Sequence, residues 1–250
     1  MQTTPQTREE RNHAARVHIE PGFAWDGQDA YLFDIDGTLL RNRDRIHRDS
    51  FVIGVQQVTG FDIQPVLFLT PGGTDPVILR DAFEKADIPR EVIEPQWDAI
   101  VEAIHRACEE RRDAMEIRMM PGVEAVLAHL VQKGALLGVA TGNLEAIGWI
   151  KIEEAGLREW FRFGGFSDHF PIRAELVANA VRKAREMAGA GARVCVVGDT
   201  PRDIEAARAN ALPVIAVATG RFNFEELLEY RPEVCASSLA DLLAQTQVAP

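Results

Sequence analysis

Few cysteines, an excess of acidic residues and short apolar runs characterise this sequence of 250 residues. Its three cysteines, Cys108, Cys195 and Cys235, lie far apart and form no C-x-x-C pair, which predicts neither a zinc site nor a disulfide framework. Lys and Arg number 27 against 38 Asp and Glu, giving a net charge of −11 at pH 7. This balance argues against a nucleic-acid partner held by bulk charge.

Membrane and export signals are also lacking. No apolar run approaches the ~18 residues that a membrane-spanning helix requires. Residues 1–20 are polar and carry no apolar segment of the kind found in secretory signals. We therefore expect a cytoplasmic protein with reduced thiols and no membrane partner.

Short apolar runs alternate with helical patterns over most of the chain. Four runs rich in Val, Leu and Ile predict buried strands, at residues 30–36, 135–140, 193–197 and 213–217, with a weaker one at 161–166. Amphipathic patterns that end at glycine separate them. This alternation predicts an α/β fold with a Rossmann-like parallel sheet.

The interval between the first two strands is too long for one crossover connection. Its surplus has helical patterns of its own, at residues 46–58, 76–86 and 94–116. We therefore divide the chain into an N-terminal extension (1–28), a core domain (29–40 and 120–250) and an inserted α-helical cap domain (41–119). The extension shows no core pattern.

Two carboxylates stand where the first strand turns into a glycine loop, in Asp34-Ile35-Asp36-Gly37-Thr38. The carboxyl ends of parallel strands form the active-site crevice of open sheets. One carboxylate can attack an electrophile there while the other moves a proton. The alternative is that both acids cap the turn, but a carboxylate within an apolar run is costly to bury unpaired.

A second acidic pair, Asp199 and Asp203, follows the strand at residues 193–197. Both acids could serve as helix caps, because Pro201 suits the first helical position. If they converge with Asp34 and Asp36, each close pair repels by ~4 kcal/mol at an effective dielectric near 20. A divalent cation offsets that repulsion, and oxygen-only ligands favour Mg²⁺ over zinc.

Two further features can hold a phosphate. Thr141, Gly142 and Asn143 follow a strand and precede a helix, so a hydroxyl and backbone N–H groups face the crevice. Arg173 lies at the start of a later helix and supplies a fixed cation. An ordinary helix cap and a solvated charge are the respective alternatives.

These motifs, in this order, resemble those of the haloacid dehalogenase-like hydrolase superfamily. The resemblance covers residues 31–236 and rests most on the first motif, DIDGTL, at residues 34–39. It implies that Asp34 is the nucleophile and Asp36 the general acid/base. It also implies that Asp34, Asp199 and the backbone carbonyl of Asp36 hold Mg²⁺, with Asp203 supporting them. Thr141 would bind the phosphoryl group.

The third motif departs from the family pattern. The family usually has lysine there, and this sequence has Arg173, while Lys183 lies further along the helix. Arginine can bridge two phosphate oxygens but does not replace lysine neutrally.

The position of the insert resembles the helical type-1 cap of phosphoglycolate phosphatases and β-phosphoglucomutases. In the cap loop that begins at Pro71, the residues Gly73, Thr74 and Asp75 are candidates for substrate contact, as is His47 on the first cap helix. A plain turn with Asp75 as a helix N-cap, and a surface histidine, are the alternatives.

The resemblance implies a Mg²⁺-dependent phosphatase of small phosphorylated metabolites, acting as a monomer or homodimer. Asp36 argues against the dehalogenase and phosphonatase branches, which lack this carboxylate. A phosphomutase is the closest alternative and needs a second phosphate site, for which Arg80, Lys85 and Arg90 are candidates. A catalytically silent binding protein is disfavoured because all four motif carboxylates are present.

Overall fold

A seven-stranded sheet forms the core of the computed structural model, which describes residues 15–68 and 72–246. The strand order is β1-β9-β8-β7-β2-β5-β6, and every pairing is parallel except that of β1 with β9. The strands of this sheet are β1 (Val17–Ile19), β2 (Ala30–Phe33), β5 (Leu136–Ala140), β6 (Phe163–Gly165), β7 (Val194–Gly198), β8 (Val214–Val217) and β9 (Val234–Ala236). The α/β parallel-sheet expectation is confirmed.

Helices cover both faces of the sheet and fill the insert. In chain order they are α1 (Ile46–Thr59), α2 (Asp75–Lys85), α3 (Arg90–Ile93), α4 (Trp97–Glu109), α5 (Val123–Gln132), α6 (Glu145–Glu154), α7 (Arg173–Ala188), α8 (Pro201–Ala209), α9 (Phe224–Leu228) and α10 (Leu239–Thr246). Within the described ranges, no helix is long and apolar enough to cross a membrane.

Strand β2 shows why the central strands lack charge. Its alternate side chains enter two different apolar cores, with Tyr31 and Phe33 in one and Ala30 and Leu32 in the other. All four residues are fully buried. A strand covered on both faces requires a continuous apolar run, which is the pattern seen in the sequence.

Helices α1 to α4 lie between two short strands that pair antiparallel, β3 (Leu40–Asn42) and β4 (Ile117–Met119). They pack around an apolar cluster that includes Phe51, Phe83 and Ile104, and that extends to Ile147 of α6. The insert therefore packs directly against the helix that follows β5. The division at residues 41 and 119 stays a prediction.

Two sequence expectations need correction. The segment 1–28 showed no core pattern, yet Val17–Ile19 pairs with Val234–Ala236 at the sheet edge. Both strands have three residues, too few for an alternation to be recognised. The expected helix at 94–116 is shorter at both ends, since 94–96 is a 3-10 turn containing Pro95 and the helix ends at Glu109, before a second 3-10 turn at Arg112–Ala114. Residues 1–14 of the expected extension lie outside the described residues.

Helices α1 and α4 approach closely at Gly54. A Cβ atom at this position would lie 2.5 Å from Ile104 Cγ1 and 2.6 Å from the backbone nitrogen of Ile104. We expect Gly54→Ala to lower Tm by about 2–12 °C, because overpacking costs ~1–3 kcal/mol and 1 kcal/mol corresponds to ~2–4 °C at this size. Thermal unfolding measures the change.

The expected fall in Tm makes this prediction specific, since alanine normally stabilises a helix interior by about 1 kcal/mol relative to glycine. Gly191→Ala is the control, because no atom lies within 4 Å of its Cβ position. An unchanged or higher Tm for Gly54→Ala would contradict the close helix contact.

Candidate active site

A cavity of about 700 Å³ opens at the carboxyl edge of the sheet, beneath the insert. Strands β2, β5 and β7 are neighbours, so the residues that follow them meet there. Asp34, Thr141 and Asp199 follow these three strands and line the cavity. Core residues Asp36, Gly142, Asn143 and Arg173 and insert residues His47, Gly73 and Asp75 also line it.

Asp34 is buried beside a guanidinium. Its Oδ1 atom lies 2.8 Å from Arg173 Nη2, and the residue is 5% exposed. Burial raises the pKa of the Asp34 carboxyl to about 7; Arg173 acts to lower it, while the charges of Asp203 and Asp36 add to the rise. A positive charge close to Asp34 therefore stabilises the ionised form of this carboxyl.

Arg173, the first residue of α7, joins two of the acids. Its Nη2 lies 2.6 Å from Asp203 Oδ1, and its Nε donates to the same oxygen at 2.9 Å. Burial acts to lower the Arg173 pKa, but the carboxylates of Asp203 and Asp34 outweigh it and raise that pKa. The charge is held inside the cavity and is not a solvated helix-start charge. Lys183 donates instead to the Gly164 carbonyl, at 2.7 Å.

Asp203 has a structural role as well as its contact with Arg173. Its Oδ2 accepts hydrogen bonds from Thr200 N at 3.0 Å and Thr200 Oγ1 at 2.7 Å. The bond from Thr200 N is one of the two hydrogen bonds of a capping box at the start of α8. The helix-capping interpretation of Asp203 is therefore correct, and both of its oxygens are already engaged.

Asp199 is less engaged and lies in a narrow space. Its Oδ1 accepts a hydrogen bond from Thr38 Oγ1 at 3.3 Å. A Cβ atom at Gly37 or Gly220 would collide with its Oδ2. Burial raises the Asp199 pKa well above its usual value, and Asp34 and Asp203 raise it further against the effect of Arg173.

These residues fit a divalent cation. Oxygen atoms of Asp34, Asp199 and Asp203 all lie within 4.8 Å of one another. When ionised, the three carboxylates exceed the single charge of Arg173 by two, the charge that Mg²⁺ balances. The donor set is oxygen only, as Mg²⁺ prefers. Asp34 and Asp199 would hold the cation directly, since Asp203 is committed to Arg173 and Thr200.

Asp36 is not part of this acidic cluster. Both of its oxygens accept hydrogen bonds from Lys151 Nζ, at 2.9 and 2.7 Å, and Oδ2 also accepts from Asn143 Nδ2 at 2.8 Å. Desolvation acts to raise the Asp36 pKa, but Lys151, His47 and these hydrogen bonds outweigh it and lower that pKa. Its side chain is 43% exposed, so the carboxylate remains accessible.

Lys151 was missed by the sequence analysis. It lies on α6, shortly before the acids at 153 and 154, and the sequence analysis did not consider it. A signal was nonetheless present. Lys151 stands four residues after Ile147, on the same face of α6, and Asn143 lies two residues before this helix begins. A lysine in register with a buried isoleucine, on a helix that follows a predicted site residue, is a candidate for burial.

Thr141 and Asn143 are bonded to each other beneath the cavity. Asn143 Nδ2 donates to Thr141 Oγ1 at 2.7 Å, and both residues are buried. The Gly142 carbonyl accepts from the backbone nitrogen of Asp75 at 2.7 Å. The expected phosphate loop is therefore attached directly to the insert.

The four insert residues selected from sequence do approach the crevice. Asp75 Oδ2 accepts from the backbone nitrogen of Leu144 at 2.8 Å and lies 3.0 Å from His47 Nε2. Thr74 Oγ1 donates to the Pro171 carbonyl at 2.6 Å. Helix α2 begins at Asp75, so this residue is not its N-cap, and His47 is partly buried and not a surface residue. Gly73 lines the cavity, whereas Pro71 lies outside the described residues.

The basic residues considered for a second phosphate do not line this cavity. Arg80 and Arg90 both bond Glu94 Oε1, at 3.2 and 2.9 Å. Arg80 also stacks on Trp97 at 4.0 Å. Their charges are thus compensated on the surface of the insert.

Residues 28–210 match the family model of the haloacid dehalogenase-like hydrolases. The chain belongs to this family of hydrolases, which confirms the family expectation drawn from the motifs. An enzyme of the hydrolase class is what this fold and site define.

Individual relatives of this chain have more specific names than the family. A phosphoglycolate phosphatase of Agrobacterium fabrum is 26% identical over 213 residues, covering 84% of this chain and 89% of the relative. A second, of Synechococcus elongatus, is 27% identical over 221 residues, covering 88% and 98%. A hydrolase structure from Pseudomonas syringae has a TM-score of 0.63 at 18% identity and covers 89% of this chain and 100% of its own. It shows the same fold.

Binding of Mg²⁺ is expected to depend on pH. A pKa raised from 3.8 to about 7 means that the stability contributed by the Asp34 carboxyl is present at low pH and lost as pH rises through about 7. A cation competes with that proton, so Mg²⁺ should raise Tm more at pH ~8 than at pH ~5. At 100 times Kd the gain is ~2.7 kcal/mol, or about 5–10 °C.

Thermal unfolding with Mg²⁺ and with EDTA measures this difference, and Asp199→Asn should abolish it. Asp62→Asn, an exposed acid, is the matched control. An equal Mg²⁺ effect at both pH values, or one retained by Asp199→Asn, would exclude the acidic cluster as the binding site.

Proposed function

We propose that this protein is a Mg²⁺-dependent phosphatase that hydrolyses small phosphomonoesters through an aspartyl-phosphate on Asp34. One observation carries the proposal: a buried carboxylate at a strand end lies against a buried guanidinium and within a cluster of three acids. Phosphoryl transfer requires this combination of a placed nucleophile and fixed positive charge. The phosphoglycolate phosphatase relatives support the reaction class.

Each residue has a role that follows from its position. Asp34 attacks the phosphorus atom, with one oxygen oriented by Arg173. Arg173 also offers its planar donors to the transferring oxygens, and the Thr141–Asn143 loop offers its backbone N–H groups. Asp34 and Asp199 would hold Mg²⁺, which would supply further positive charge to neutralise the phosphoryl oxygens. The exposed Asp36 carboxyl protonates the departing alcohol and then accepts a proton from the attacking water.

Phosphoglycolate is the first substrate to test, because the relatives are named phosphoglycolate phosphatases. The insert closes one side of the cavity through its contacts at Gly142, Leu144 and Pro171. This placement limits water access to the reacting atoms. A phosphomutase is not favoured, since Arg80 and Arg90 are paired with Glu94 outside the cavity. A cytoplasmic location is also proposed, supported by three buried, unpaired cysteines.

Phosphate release from a panel of phosphomonoesters, with Mg²⁺ and with EDTA, tests the proposal. Asp34→Asn should lower turnover by at least ~10³-fold because the amide cannot form the covalent intermediate. Asp62→Asn is the matched control and should retain wild-type turnover. Wild-type turnover by Asp34→Asn, or full activity in EDTA, would refute the mechanism.

Arg173→Lys tests the departure at the third motif. Lysine keeps the positive charge but lacks the planar guanidinium group that contacts both Asp34 and Asp203. We expect kcat/KM to fall by about 10-fold for Arg173→Lys and by about 10³-fold for Arg173→Met, which removes the charge. Steady-state kinetics measures both. Equal losses of kcat/KM in the two variants would contradict this expectation. They would show that the geometry of the guanidinium group, and not its charge, contributes to catalysis.

A further inference from the structure

Lys151 places a charged ammonium in the interior, next to the proton-transfer carboxylate. It is 1% exposed and is the only lysine among the described residues that is buried to this degree. Burying an ammonium costs free energy unless its donors are paired. The contacts around Lys151 therefore indicate what compensates it.

The three donors of the ammonium are all satisfied. Besides Asp36, Nζ contacts Asn143 Oδ1 at 2.8 Å and His47 Nδ1 at 3.0 Å. An ammonium has three hydrogens and no acceptor, so each of these partners must accept. Three accepting residues, with four acceptor atoms between them, surround the three hydrogens and fix the direction of the whole side chain.

These hydrogen bonds of Lys151 assign the tautomer of His47. Because Nδ1 accepts from Lys151, the ring proton resides on Nε2, which donates to Asp75 Oδ2 at 3.0 Å. Both His47 and Asp75 belong to the insert, whereas Lys151, Asn143 and Asp36 belong to the sheet side. A continuous chain of hydrogen bonds therefore runs from the insert to Asp36.

We propose that Lys151, held in place by the His47–Asp75 pair, is a positioning residue that fixes the Asp36 carboxyl group toward the leaving oxygen of the substrate. The inference rests on the proposed phosphatase function. Lys151 and Asn143 together engage both Asp36 oxygens, which removes the rotation of a half-exposed side chain. Restricting a proton donor in this way keeps it within reach of the reacting oxygen.

The role predicts a dependence on the leaving group. An alkyl phosphate releases an alkoxide that needs a proton, whereas p-nitrophenyl phosphate releases a stable anion that does not. The ratio kcat/KM reports the steps up to release of the leaving group. Lys151→Met should therefore lower kcat/KM about 10²-fold for an alkyl phosphate and less than about 3-fold for p-nitrophenyl phosphate.

Further variants distinguish a positioning role of Lys151 from an effect of its substitution on folding. Lys183→Met removes a lysine that bonds only a backbone carbonyl and should leave both ratios unchanged. His47→Leu should reproduce the selective loss in milder form, and His47→Gln should recover part of it by restoring an acceptor. Should Lys151→Met fail to fold, the His47 pair carries the test. Nitrogen-15 NMR of the wild type should show His47 protonated on Nε2 and not on Nδ1.

The outcomes are distinguishable. A loss of equal size on both substrates, no loss on either, or a His47 proton on Nδ1 would overturn the positioning role. A wild-type protein that releases no phosphate from any ester in the same assay would overturn the proposed function, and the inference with it.

Discussion

The site depends on one charge balance, that of Arg173 among the acids. Its guanidinium contacts Asp34 and Asp203 directly and also acts on Asp199. Without this cation, three buried carboxylates would repel one another at close range. With it, the cluster is partly neutralised and still negative enough to attract a divalent cation. Folding and the proposed metal site thus depend on one residue at the start of α7.

The sheet supplies the precision that this balance requires. Strands β5, β2 and β7 are buried on both faces and lie side by side, so the residues after them have little freedom. Asp34 and Asp199 approach from neighbouring strands, and Arg173 comes from a helix packed on the same sheet. Reactive groups on rigid elements keep their geometry better than groups on long loops. The insert then covers what the sheet has arranged.

Strand-end residues could be predicted from sequence because a buried parallel strand leaves a clear apolar run. Asp34, Thr141 and Asp199 follow such runs and meet as expected. Lys151 could not be found in this way, because its burial depends on how the insert packs on α6, a non-local contact. The paired role of Asp203 was likewise hidden, since helix capping and contact with Arg173 use different oxygens of one carboxylate. The edge strand β1 and its neighbour β9 were too short to show a periodic pattern.

Asp199 has a consequence for how sequence variants of this protein should be interpreted. Its carboxylate oxygen occupies the space that a side chain at Gly37 or Gly220 would need. Neither glycine carries a reactive group, and alanine is the smallest possible replacement. A scale of amino-acid similarity would rank that replacement as mild, yet it would displace a carboxylate of the cluster. At these two positions, tolerance to substitution is set by space that the Asp199 side chain already fills, and not by the chemistry of the residue itself.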